Sequence, residues 1–370
     1  MMRLIILALT LFVTGCATTS GVSSSFSSAE DTKNIQEKEQ RLWSQANDYD
    51  RSLKLSGQVY NNPRIQKYLQ GVMDRLYPEF KGKINVRMLN STQLNAMALA
   101  NGSVYFNIGL LARIDNEAQL ATVLAHEAAH FIYKHSFKER VRVKNASAFA
   151  ASGLPLSNLI AVSSVSGYSR STESEADDKG FERLVKTGYD TRESHKVFKY
   201  LADEIKALDV KEPYFFSSHP KLLDRIEKFK ALSKNSKRGG RKGYKTFNRM
   251  MRPLRLQVLK NDLGQDRYKN IILVLTEKRA ARLYPGASQY YLGEAYRRRG
   301  DKGDERRALK AFKSAEKSAP AFAPTYKVLG VHYMKKRNKG KARYYFSRYL
   351  AVAPKNARDR EYVRSYMGSM

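Results

Sequence analysis

The sequence has a single cysteine, Cys16, so no disulfide can form within the chain. After residue 13 it also lacks any apolar run of the roughly 20 residues that a membrane-spanning helix needs. Acidic residues are scarce: 35 Asp and Glu stand against 67 Lys and Arg, which gives a formal net charge of +32. The hydrophobic content of 42% still provides a core, and 370 residues suffice for about two domains.

The excess positive charge lies mainly in the C-terminal part. Residues 232–370 contain 36 Lys and Arg against 10 Asp and Glu, a net charge of +26. Such a surface favours nucleic acid, anionic lipid or acidic protein as a partner. The location of the protein decides among these three.

The first sixteen residues indicate export. Arg3 precedes an apolar run over residues 4–13, which is too short to span a bilayer and is typical of a signal peptide. The run ends in Val13-Thr14-Gly15-Cys16, which resembles the bacterial lipobox, whose cysteine becomes lipidated; an ordinary signal peptide with an incidental cysteine is the alternative. The residue after the cysteine is Ala17 and not Asp, which is compatible with delivery to the outer membrane of a Gram-negative cell. We therefore expect no nucleic-acid partner.

Apolar spacing predicts an α+β domain, mostly helical, before residue 233. Pro63 opens a helix, residues 84–88 alternate as a strand does, and Asn101-Gly102 is a turn before a second strand over 103–108. The remaining helices are expected from Asp115 or Asn116 into the 130s, near 173–187, near 191–208 and near 220–232.

The segment His126-Glu127-Ala128-Ala129-His130 predicts a metal site. On a helix, residues four apart face nearly the same side, so both imidazoles can reach one ion. Zinc suits such a set, because it takes nitrogen and oxygen ligands and lowers the pKa of a water molecule. Glu127 is then placed to accept the proton of that water. A core helix whose histidines are four apart by chance is the alternative.

A third ligand is expected in Glu173-Ser174-Glu175-Ala176-Asp177. Glu173 and Asp177 share a helix face, so Glu173 can bind the metal while Asp177 orients a ligand histidine. Glu175 is the rival ligand, although on a helix it points about 200° away from Glu173. An acidic, solvated helix start is the alternative that involves no metal.

These two motifs together resemble the gluzincin peptidases related to HtpX and the CAAX prenyl proteases, and among them the soluble, repeat-bearing BepA-like branch. Three further stretches match. They are Asn95-Ala96, residues 102–111, which include the second strand, and Ser218-His219-Pro220 with Arg225 five residues beyond the proline. The resemblance covers residues 35–232 and then the repeats. It implies a zinc-dependent endopeptidase with one zinc per chain, in the periplasm of a Gram-negative bacterium.

The resemblance also implies roles for other residues. The strand with Val104, Tyr105 and Phe106 is expected at a sheet edge, where an extended substrate adds through main-chain groups; an internal strand is the alternative. Three roles are open for His219. It closes the fourth position of the zinc in a resting state, together with a small-residue loop over 146–167; or it stabilises the oxyanion; or it is a structural residue. Arg225 is expected to hold a carboxylate or the oxyanion.

The remaining histidines, His135, His195 and His332, have no metal-ligand spacing and are interpreted as surface or packing residues.

The C-terminal part contains a repeat. Two units follow the tetratricopeptide spacing, the first of them if three residues are inserted near Gly300, and residues 253–284 are expected to supply a degenerate third. A generic array of helical hairpins is the alternative. The matching residues are Leu292, Gly293, Tyr296, Ala308, Phe312, Ala315 and Pro320 in one unit, and Tyr326, Leu329, Gly330, Tyr333, Ala342, Phe346 and Pro354 in the next.

Five segments are therefore expected along the chain. They are a lipoprotein signal over 1–15, a flexible tether over 16–29, a zinc peptidase domain over 30–232, a basic linker over 233–250 and a tetratricopeptide-like domain over 251–370.

The expected function is hydrolysis of misfolded or misassembled envelope proteins. The repeats are expected to recruit the substrate or the outer-membrane assembly machinery. A periplasmic chaperone or scaffold without enzyme activity, acting through the repeats, is the competing hypothesis.

We predict that Cys16 is lipidated and that the protein fractionates with the outer membrane, because the apolar run ends in a lipobox-like sequence. Mass spectrometry of the mature N-terminus tests this. An unmodified N-terminus at another residue, or a cytoplasmic protein, contradicts it.

Overall fold

A computed structural model describes residues 29–149, 168–208, 222–236 and 239–370. Cys16, His219 and most of the predicted 146–167 loop lie outside these residues. None of the helices described is both long and apolar enough to cross a membrane.

The chain divides into two units, Met1–Arg41 and Leu42–Met370. The first contains the start of helix α1, Ala29–Leu55, and the second contains the rest of α1, the sheet and the other helices. We number helices and strands in chain order over the described residues.

The N-terminal part of the second unit is helical with one small sheet, and in this it agrees with the α+β prediction. Its elements after α1 are α2 Pro63–Leu76, β1 Asn85–Leu89, β2 Ala96–Ala98, β3 Ser103–Asn107, α3 Ile108–Arg113, α4 Glu117–Ile132, α5 His135–Phe149, α6 Arg170–Lys186, α7 Ser194–Leu208 and α8 Leu222–Lys234.

The sheet has the order β1-β3-β2, with β3 parallel to β1 and antiparallel to β2. The prediction that the strand with Val104, Tyr105 and Phe106 forms a sheet edge is therefore wrong. Both sides of β3 are paired, and every one of its residues is buried. The edge that lies against α4 is β2, whose three residues are too few to show an alternating pattern.

Helix α4 begins where the sequence predicts. The side chain of Asn116 accepts a hydrogen bond from the backbone N–H of Gln119 at 3.0 Å and so caps the helix. Every residue from Glu117 to His130 is buried, because α4 crosses the middle of the core and packs on α2, β2, α6 and α7.

The C-terminal part is entirely helical. Its elements are α9 Tyr244–Gly264, α10 Tyr268–Thr276, α11 Ala280–Leu283, α12 Ser288–Arg299, α13 Asp304–Ser318, α14 Ala323–Lys335, α15 Lys339–Val352 and α16 Arg360–Gly368.

Two helical hairpins in this part pack alike. In α12 and α13, a Cβ on Gly293 would lie 2.4 Å from the ring of Phe312, and in α14 and α15 a Cβ on Gly330 would lie 2.4 Å from the ring of Phe346. In both hairpins a glycine lets an aromatic ring from the second helix lie directly on the backbone of the first. The repeated contact agrees with the predicted repeat spacing.

The predicted linker over 233–250 is wrong in its second half. Helix α9 begins at Tyr244, and its residues Phe247 and Met251 belong to the same buried cluster as the sheet and α4. Basic residues just before α9 are also fixed: Arg241 Nε is 2.8 Å from a Glu117 carboxylate oxygen, and Lys242 pairs with Glu193 at 3.2 Å. These acidic partners lie far away in sequence, so the basic composition of the segment gave no sign of them.

A buried charged network joins the two parts. Arg113, at the end of α3, forms a bidentate ion pair with Glu204 of α7, in which its Nε and Nη2 donate to the two carboxylate oxygens at 2.8 and 3.1 Å. Asp262 of α9 is fully buried nearby, with Arg113 and Arg267 at 3.9 and 3.7 Å, too far for hydrogen bonds. Burial therefore raises the pKa of Asp262 to about 6.

We predict that Asp262→Asn stabilises the protein at pH 7.5 by on the order of 1–2 kcal/mol. Above pH 6 the folded protein has to bury a charge there, whereas below about pH 4 the carboxyl group is protonated in both the folded and unfolded states. The gain should therefore vanish near pH 4. Chemical denaturation at both pH values measures it.

Asp203→Asn on the exposed side of α7 serves as the control, since its side chain is 60% exposed and should change stability little at either pH. A destabilised Asp262→Asn at pH 7.5 would contradict the proposed cost of the buried charge.

Candidate active site

His126 and His130 lie on one face of α4, as their spacing predicts. Their Nε2 atoms are 3.0 Å apart, and both side chains are almost completely buried. Two imidazole nitrogens this close in a buried site can both bind one ion.

Helix α6 brings Glu173 to the same point. Ser169 caps α6 by accepting from the N–H of Thr172, and Glu173 follows in the first turn. Its carboxylate oxygens lie 3.3 Å from His130 Nε2 and 3.6 Å from His126 Nε2. The helices can approach this closely because residue 180 is glycine; a Cβ there would lie 3.2 Å from the backbone nitrogen of His126.

The three donors fit a zinc ion. Their ligating atoms all lie within 4.8 Å of one another, and among the described residues this is the one such group of His, Cys, Asp and Glu. Ligand atoms held in a tetrahedron at about 2.0–2.1 Å from zinc are about 3.3 Å apart. The observed separations of 3.0, 3.3 and 3.6 Å bracket this value.

Glu127 is fully buried beside these donors. On helix α4 it lies about 60° around the axis from His130, so it is on nearly the same side of the helix without belonging to the donor group. A carboxylate in this position has the geometry of a general base for a water molecule at the site.

Asp177 and Arg225 form a support behind His126. Asp177 Oδ1 lies 2.9 Å from His126 Nδ1, so the carboxylate can accept the proton of that nitrogen. Arg225, on α8, donates two hydrogen bonds to Asp177, of 3.1 and 2.7 Å, and stacks over the ring of Phe198. Although burial opposes it, the charge of Arg225 holds the pKa of Asp177 at about 2. Arg225 therefore holds a carboxylate, one of its two predicted roles.

The rival ligand Glu175 points away from the donor group. Its carboxylate lies 3.2 Å from His135 Nε2 and 3.1 Å from Lys138 Nζ. Its side chain is about one-third exposed, whereas that of Glu173 is buried. The helical angle between the two glutamates predicts this difference.

His135 was interpreted as a surface or packing residue, and this interpretation overlooked its contact with a donor. It is completely buried, and its Nδ1 lies 3.0 Å from His130 Nδ1. Burial lowers the pKa of His135 to about 4. On a continuous helix a residue five positions after His130 lies about 140° around the axis, so the spacing gave no hint of the contact.

Tyr168 was not predicted from the sequence either. Its ring stacks on that of His130, with 3.8 Å between the ring centres and 16° between the planes. Its hydroxyl group is 3.1 Å from the hydroxyl group of Ser136. His219 lies outside the described residues, so its predicted role stays a prediction.

A His-Glu-x-x-His helix completed by a glutamate from a second helix is the donor arrangement of zinc-dependent peptidases. Comparison with known proteins agrees. Residues 60–233 match the model of Peptidase family M48.

Three relatives illustrate the similarity. A Vibrio cholerae protein named "Putative beta-barrel assembly-enhancing protease" is 31% identical over 199 residues, which cover 48% of this chain and 41% of the relative. The beta-barrel assembly-enhancing protease of Escherichia coli K12 is 24% identical over 46% of this chain and 39% of its own length. The metalloprotease YcaL of Escherichia coli K12 is 33% identical over 39% of this chain and 60% of its own length. The match thus spans about two fifths of the beta-barrel assembly-enhancing proteases.

We predict that the purified protein holds about one zinc per chain and that His126→Ala or Glu173→Ala abolishes this, because each removes one of three donors. Elemental analysis after dialysis measures the content. Glu182→Ala, an exposed glutamate on the same helix, is the matched control and should retain about one zinc. Loss in Glu175→Ala with retention in Glu173→Ala would reassign the third ligand.

Proposed function

We propose that this chain is a zinc-dependent endopeptidase that hydrolyses peptide bonds of misfolded or misassembled outer-membrane and other envelope proteins. The observation that carries the proposal is the buried donor group His126, His130 and Glu173 with Glu127 beside it. A family M48 domain supports the peptidase activity, and the name of the Escherichia coli relative supports the class of substrate.

The metal, the base and the support of His126 have separate roles in the proposed hydrolysis. A bound zinc ion supplies Lewis acidity, which polarises a peptide carbonyl and makes a water molecule easier to deprotonate. Glu127 accepts the proton of the attacking water and then donates it to the departing amine. Asp177, held by Arg225, keeps His126 in the tautomer whose Nε2 is free to bind.

Substrate is proposed to add as a strand at β2, Ala96–Ala98, in place of the predicted addition at β3. Within the described residues β2 pairs with β3 alone, and it lies against α4, which bears the donors. Pairing through main-chain groups needs an extended segment but little particular sequence, which suits an enzyme for unfolded proteins.

The repeat part is proposed to recruit acidic protein segments, either of substrates or of the outer-membrane assembly machinery. Residues 317–358 include 11 Lys and Arg and not one Asp or Glu. On α15, Lys341, Tyr344 and Arg348 are all exposed and recur at helical spacing on one face. A helical hairpin with cations and tyrosine on its surface and no acid of its own is complementary to an acidic partner.

We further propose a periplasmic location with a lipid anchor at Cys16, on the basis of the sequence. The competing function, a chaperone or scaffold without activity, requires the repeats but not the donor group. The presence of three donors, a base and a support for His126 favours the enzyme, because a site no longer in use has no constraint to keep all of them in position.

We predict that the purified protein digests casein and that Glu127→Gln lowers this activity by about 100-fold or more while retaining zinc, since the change removes the base and no ligand. Glu182→Gln, an exposed carboxylate on α6, is the control and should remain active. Zinc-loaded wild-type protein that fails to cleave any unfolded substrate would instead support the scaffold.

A further inference from the structure

His135 occupies its position because the chain reverses just before it. Helix α4 ends at Ile132, Lys134 adopts a left-handed backbone with φ of 54°, and α5 starts at His135. Non-glycine residues are uncommon in that region, because their Cβ lies close to the backbone carbonyl oxygen. The reversal turns His135 back onto His130, where it is fully buried with 3.0 Å between the two Nδ1 atoms.

The geometry fixes where the protons lie. His130 presents Nε2 to the donor group, so in the neutral ring its proton is on Nδ1. The neighbouring Nδ1 of His135 must then be the acceptor, which leaves the proton of His135 on Nε2. That nitrogen lies 3.2 Å from the Glu175 carboxylate, which can accept it.

The same arrangement exists on the other histidine. His126 Nδ1 faces Asp177, and Asp177 is held by Arg225. His130 Nδ1 faces His135, which is held by Glu175, and Glu175 in turn accepts from Lys138 at 3.1 Å. Each zinc-binding imidazole thus has a hydrogen-bond acceptor on its far side, and each acceptor is anchored by a charged residue.

We propose that His135 is a positioning residue that, held by Glu175, sets the tautomer and ring direction of His130 for metal binding. This inference rests on the metal site of the proposed function. Partners of this kind are worth about 10–100-fold in metal affinity.

The N-terminal part of α5 supports the start of α6 as well. Glu139 accepts a hydrogen bond from the backbone N–H of Ser169 at 2.9 Å and another from the hydroxyl group of Thr172 at 3.0 Å. Residue 173 follows directly, so the helix that begins at His135 also fixes the helix start that carries the third donor. The position of His135 is therefore tied to the whole donor group.

The test compares zinc affinity in His135→Phe and His135→Asn by competition with a chromophoric chelator. Phenylalanine keeps a ring but has no acceptor, whereas the asparagine side-chain oxygen can replace Nδ1. We expect zinc affinity about 10–100-fold below wild type for His135→Phe and within a few-fold of wild type for His135→Asn. His195→Phe, a partly buried histidine away from the donors, is the control and should bind zinc as wild type does.

Thermal melting of the metal-free variants separates positioning from structure. A purely structural role would lower the melting temperatures of the two His135 variants and leave the zinc affinity of the folded protein unchanged, which would overturn the proposal. Equal loss of affinity in His135→Phe and His135→Asn would overturn it too. If wild type itself binds no zinc, the proposed function fails. If wild type binds zinc but the His135 variants give one of the contrary results above, only the proposed role of His135 fails.

A measurement on unmutated protein covers the case in which His135→Phe does not fold. Nitrogen NMR of the metal-free wild type should show His130 with its proton on Nδ1 and His135 with its proton on Nε2. The reverse assignment would contradict the proposal. Glu175→Gln should keep zinc affinity nearer to wild type than Glu175→Ala, because the amide retains an acceptor oxygen.

Discussion

The close packing of α4 on α6 is the constraint on which the rest of the site depends. The two helices meet at Gly180, where no side chain separates them, and this sets how near Glu173 comes to His126 and His130. A wider spacing would leave donor atoms too far apart for a single ion. The buried polar residues around the site follow from this contact, because each ring brought into the core needs a hydrogen-bond partner there.

Much of the site could be predicted from sequence because it obeys helix geometry. The spacing of His126 and His130, the position of Glu127 between them and the choice of Glu173 over Glu175 all follow from 3.6 residues per turn. Asp177 followed from the same rule, since it lies one turn after Glu173 and next to His126.

The remaining features depend on events that local patterns do not encode. His135 reaches His130 only because Lys134 leaves the helical conformation. Nothing in the lysine side chain requires a left-handed backbone, so the sequence does not predict the reversal. Strand β2 has three residues, too few to show a period of two. Glu117 and Glu193 form ion pairs with the second half of the basic segment, residues 241–250. Both glutamates are far from this segment in sequence, so a local pattern cannot reveal the contacts. In each case a tertiary contact overrides the local signal.

The path of the chain into α9 bears on how this protein can be altered by exchange of parts. Arg241 contacts Glu117, the first residue of the helix that bears His126, and Phe247 and Met251 complete the core around that helix. Arg255 donates to the backbone carbonyls of Ala112 and Ile114 at the end of α3. Another helical array, joined within the basic segment, would remove these residues and expose apolar surface next to the helix that bears His126 and His130. Any exchange of the C-terminal helices therefore has to leave α9 with the helix that bears His126 and His130.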